Sequence, residues 1–98
     1  MFNKINPVDF ECLFLTNKRN IFEEELSSMQ DLLALKVSEL KIFLEQIHLD
    51  DTNDVTYKAK TIIAHCNKIL EVSNIVDYQQ IKIGEISTEL NKLKEYLK

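Results

Sequence analysis

A chain of 98 residues holds one domain with a small core, and a single glycine and a single proline are too few for tight hairpins, β-sandwiches or phosphate-cradling loops. With 45% hydrophobic residues, spaced rather than clustered, the chain is expected to fold, and its composition points to helices. A net charge of −4 and cations scattered along the whole length leave no basic stripe to neutralise phosphates, which argues against a nucleic-acid partner.

The stretch INPVDF opens the first helix. Asn6 is placed to cap it, Pro7 suits the first helical position, and Ile5 is set to staple onto Phe10. The apolar run VDFECLFL then meets TNKRN, residues 16–20, which is wholly polar. Asn20 and Glu23 make a capping-box pattern, and Glu24 and Glu25 add negative charge where a helix start favours it. The preferred reading is a short helix over 7–16, a break, and a new helix over 20–48, with one continuous helix over 7–48 as the alternative.

From Phe22, the residues Leu26, Met29, Leu33, Lys36, Leu40, Phe43 and Ile47 follow at steps of four and three, a heptad seam that Lys36 interrupts. Leu32, Val37 and Leu44 widen it to the stripe of a helix packed in a bundle. The polar cluster LDDTND, residues 49–54, ends this helix and caps a second over 53–74. Its predicted seam is Val55, Ala59, Ile62, Cys66, Ile69, Ser73 and Val76. A further junction is predicted in SNIVDYQQI, where Asn74 closes one helix and Asp77 with Gln80 opens the last, over 77–97, on Ile83, Ile86, Leu90, Leu93 and Leu97. Gly84 beside that stripe predicts close helix approach or local weakness. The expected fold is all-α, a single domain over 1–98 built as an antiparallel bundle of three principal helices plus a short N-terminal helix.

His65 and Cys66 sit side by side in IIAHCNKIL, but adjacent helical residues point about 100° apart and cannot pair without outside partners. Cys66 is expected in the buried seam and His65 at its boundary. Cys12, His48, His65 and Cys66 lack the short spacing of a zinc motif. Asp50, Asp51 and Asp54 lack the turn glycine and closing Glu of a calcium loop and read as helix caps. Glu23, Glu24 and Glu25 fan outward on a helix and read as a first-turn dipole partner. No catalytic, cofactor-binding or metal-ligating residue is assigned, and no cofactor is expected. Arg19 is the sole arginine, whereas small helical enzymes acting on dicarboxylates or phosphates use several cations. An enzyme with an unmarked pocket is the runner-up.

The N-terminus lacks the apolar core of a signal peptide and no run approaches the ~20 residues that cross a bilayer, so a cytoplasmic location without a membrane span is expected. Lys outnumbers Arg eleven to one and Ile and Asn are abundant, as in AT-rich bacterial coding. What remains is binding to protein. Phe10, Leu13, Phe14 and Leu15 put apolar groups around more than one helix face and are the candidate partner-binding residues. A long helix of about 29 residues overhanging partners of about 22 leads to the expectation of a homodimer. Size, acidity and heptad stripes are similar to those of small bacterial secretion chaperones and adaptors, and of bacteriocin immunity proteins. The expected function is a non-catalytic chaperone or adaptor that binds a partner protein through exposed apolar helix surface, with an immunity-type bundle as the alternative.

Overall fold

The computed structural model describes residues 6–48 and 52–96, and two helices account for nearly all of them. Helix α1 (Pro7–Gln46, 40 residues) and helix α2 (Val55–Tyr96, 42 residues) form a hairpin. Two helices thus replace the three principal helices and the short N-terminal helix expected from sequence, although the all-α class stands. Ile5, Asp50, Asp51 and Leu97, named above for a staple, caps and a seam, lie outside the described residues.

Helix α1 starts where its cap places it. The Val8 amide donates to Asn6 Oδ1 at 3.0 Å, and the Phe10 amide donates to the Asn6 carbonyl at 3.0 Å. It then runs through TNKRN without a break. The reason lies in the spacing: Val8, Cys12, Leu15, Arg19, Phe22, Leu26, Met29, Leu33, Lys36, Leu40, Phe43 and Ile47 keep steps of four and three throughout, and all are at least half-buried. The polar residues Asn17, Lys18 and Asn20 fall on outward positions, where they cost little helix propensity. Thr16 donates its hydroxyl to the Cys12 carbonyl at 2.7 Å instead of breaking the helix. Glu23, Glu24 and Glu25 are therefore in mid-helix and not at a helix start, and Glu23 approaches Arg19 at 3.9 Å.

Helix α2 likewise passes straight through SNIVDYQQI. Asn74 and Asp77 point outward while Val72, Val76 and Gln79 carry the buried seam across the expected junction. Packing along a continuous stripe outweighs isolated capping signals here. The seam itself reads Lys58, Ile62, His65, Ile69, Val72, Val76, Gln79, Ile83, Ile86, Leu90 and Leu93, again in steps of four and three. Cys66 and Ala59, predicted to lie on it, are exposed. Gly84 has nothing within 4 Å of a Cβ built on it, so no close helix approach explains it.

The chain divides into two compact units, Met1–Ser27 with Asp77–Lys98 (the terminal unit) and Ser28–Val76 (the turn unit). The terminal unit holds a core cluster of Leu15, Ile86 and Leu90, with Cys12, Phe22 and Leu93 packed against it. Leu90 is its most enclosed member at 1% exposure. Gln79 is also buried, its Nε2 donating to Glu25 Oε2 at a long 3.5 Å while its Oε1 has no hydrogen-bond partner.

In the turn unit the helices meet through Phe43 and His65, whose ring centroids are 5.5 Å apart at a 38° tilt. Lys58 Nζ donates to the His48 carbonyl at 2.9 Å and ties the start of α2 to the end of α1. Asp54 closes the turn with φ 57°, and its carbonyl accepts the Lys58 amide at 2.9 Å. A non-glycine residue in this left-handed region marks a conformation that the turn imposes. Val72 and Val76 are the buried residues of this unit among those described.

Candidate functional site

Among the described residues, chemistry-bearing side chains do not converge. Among the described residues no group of three or more His, Cys, Asp or Glu is arranged to hold a metal ion. Both thiols are free: Cys12 is half-buried against the terminal core and Cys66 is exposed. His65 occupies the seam beside Phe43, the position expected for Cys66, so the two neighbours have exchanged their anticipated roles. The salt bridges Arg19–Glu23, Lys36–Glu39 at 3.5 Å and Lys82–Glu85 at 3.3 Å each lie within one helix, on partly or fully exposed side chains. Pairs of this kind contribute little to stability.

An open groove of about 530 Å³ in the terminal unit is lined by Lys18, Tyr78, Lys82, Glu85 and Glu89 over the core residues Leu15 and Ile86. Lys82 sits 5.5 Å from the Tyr78 ring centroid and bonds Glu85, so its charge is already engaged. Among the described residues the groove is lined by no histidine, cysteine or arginine.

What the helices do build is apolar surface in excess of their core. In the N-terminal half of α1, Leu15 is 5% exposed, whereas Phe10, Leu13 and Phe14 are 58%, 60% and 55% exposed. Leu15 therefore leaves the set of surface candidates and belongs to the core with Ile86 and Leu90. At about 100° per residue, Phe10, Leu13 and Phe14 fall within one arc of about 100°, on the side of α1 away from Cys12, Leu15 and Phe22. Ile21, 57% exposed and seven residues after Phe14, extends the same arc. Its signal in the sequence was the heptad spacing from Phe14, hidden by the intervening polar run. Helix α1 is thus apolar on two opposed faces, one turned to α2 and one left open.

A second set lies in the turn unit. Val37, Leu44, Ile63 and Leu70 on one flank, and Leu35, Ile42 and Ile75 on the other, are between 41% and 60% exposed. Val37, Leu40, Lys41, Leu44 and Glu45 surround a shallow hollow on α1 of about 430 Å³.

The arrangement defines a helical hairpin with apolar outer faces. No protein-family model, curated protein or solved structure matches this chain. No helix among the described residues is long and apolar enough to cross a membrane.

Proposed function

We propose that the chain is a non-catalytic interaction module, a small chaperone or adaptor that receives a partner protein's amphipathic helix on the open face of α1. The observation that carries this reading is the second apolar face itself. Phe10, Leu13, Phe14 and Ile21 stand more than half exposed on the side opposite the core. Large aromatic and aliphatic side chains at helical spacing are the anchors that a helix-binding surface uses, and a soluble chain rarely leaves such a stripe open without an occupant.

Self-association belongs to the same reading, though not through the overhang expected from sequence, because α1 and α2 are nearly equal in length. Support comes from area instead. The chain exposes 7770 Å². A compact monomer of 11.5 kDa exposes about 5,800 Å². The excess, about 2,000 Å², exceeds the roughly 800 Å² per partner of a standard interface. It leaves room for a second copy and a foreign partner together.

Photo-crosslinking in the native cell tests the partner face. A photoreactive residue at position 14 should give a discrete adduct with another protein, and the same residue at the exposed position 60 of α2 should not. Equal yields from both positions, or none from position 14, reject the reading.

A further inference from the structure

The open face of α1 in the terminal unit carries charge as well as apolar surface. Phe10, Phe14, Asn17, Ile21 and Glu24 follow one another at steps of four and three, and so form a second line along the helix within an arc of about 80°. All five are exposed. Glu24 stands on this line itself, three residues after Ile21, and among the described residues no ion pair or hydrogen bond engages it.

The helical repeat places Glu11 and Glu25, with Lys18 between them in sequence, along one edge of the line, and Asp9 along the other. Glu23 and Arg19 lie farther round the helix and approach each other at 3.9 Å. Four carboxylates therefore surround the apolar residues against one cation, Lys18. This acidity belongs to the face and not to the unit at large, because over 77–96 of α2 four carboxylates meet three lysines.

We infer, on the footing of the proposed function, that the occupant of this face is a partner helix whose apolar stripe is bordered by lysine or arginine, with one such cation seated on Glu24. Phe10, Phe14 and Ile21 supply the apolar anchors, and a helix lying along them brings its own flanking side chains against Glu11, Glu24 and Glu25. Docking takes water from these carboxylates, and a cation opposite them replaces the lost hydration with charge-assisted hydrogen bonds. Like charge disfavours the other occupants. A second copy docked symmetrically by this face sets Glu24 and its neighbours against their own duplicates. Phosphate surfaces, whether of nucleic acid or of lipid headgroups, meet the same repulsion.

The adduct formed from position 14 of the full chain in the native cell provides the test. Mass spectrometry of the crosslinked peptide should identify a segment with apolar residues at helical spacing and Lys or Arg beside them. Adding Glu24→Lys should lower the adduct yield about tenfold, since it turns an attraction into a repulsion. Adding Lys18→Glu should not lower it. Both changes fall on exposed side chains, and circular dichroism checks that the helices persist. Should Glu24→Lys unfold the chain, Glu24→Gln takes its place, with a loss of about threefold. A crosslinked segment that is acidic or uncharged, or that belongs to a second copy of the chain, overturns the inference. An unchanged yield from the Glu24 variant, or an equal loss from Lys18→Glu, does the same. Absence of the adduct from the wild type removes the proposed function and the inference with it, whereas an adduct formed equally well without the Glu24 charge removes only the basic partner.

Discussion

Leu13 and Leu15 are the same residue type two positions apart, and the hairpin gives them opposite fates. Leu15 is 5% exposed and packs with Ile86 and Leu90, while Leu13 is 60% exposed. Truncating a buried leucine to alanine loses both transfer free energy and the contacts of the cavity left behind, at 2–5 kcal/mol in the general case and about 3 kcal/mol in a cluster of this modest size. For a chain near 100 residues each kcal/mol moves the melting temperature by roughly 4–8 °C, so Leu15→Ala should lower it by about 12–24 °C. Leu13→Ala removes a side chain already mostly in water and should stay within about 0.5 kcal/mol, or a few degrees. Circular-dichroism melts of both variants and the wild type, at one fixed protein concentration, supply the comparison. Equal losses for the two variants, or a larger loss for Leu13→Ala, would refute the division of this segment into a core face and an open face.

Gln79→Leu should raise stability by about 1 kcal/mol, because it removes a buried acceptor without a partner and a long bond to Glu25; urea unfolding checks this, and a loss of stability would contradict it. Gly84→Ala should stabilise by roughly 0.5–1 kcal/mol, since open space surrounds the new methyl and alanine is the better helix former; a destabilised variant in the same titration would show a close neighbour there. In submicromolar protein, Cys66 should alkylate close to the rate of the denatured chain and Cys12 well below it, as mass spectrometry of the two peptides will show; the reverse order would restore Cys66 to the seam.

The helical class and the α1 seam from Phe22 to Ile47 were legible because apolar spacing is a property of the sequence alone. The two false junctions arose where polar residues cluster. TNKRN and SNIVDYQQI contain real capping chemistry, but Asn17, Lys18, Asn20, Asn74 and Asp77 all fall on outward positions, and the seam continues beneath them. The α2 seam was displaced at Cys66 for a different reason. Ile62, Ile69 and Val76 belong both to the predicted stripe and to the observed one, and the intervening position goes to either His65 or Cys66. A thiol is the more apolar choice, and only the Phe43 ring opposite shows that imidazole fills the place. The candidate surface was legible as a segment but not residue by residue. VDFECLFL is apolar all round, and the fate of Leu15 depends on Ile86 and Leu90, more than seventy positions away in sequence.

Two seams that both repeat every seven residues carry a hazard, since sliding one helix past the other by a heptad, about 10.5 Å, restores most apolar pairings. Among the polar residues on the seams, His65 tells this alignment from its neighbour. In the observed alignment Gln79 meets Glu25 and His65 meets Phe43. A slip of one heptad toward the N-terminus of α1 would carry His65 from the Phe43 ring to Lys36, exchanging a ring contact for a cation, while Gln79 would pass from Glu25 to Lys18, from which its unpartnered Oε1 can accept. The contact of His65 with Phe43 thus marks the native register, whereas Gln79 finds a partner in either alignment, and a hairpin relieved of it would gain strength without losing its register.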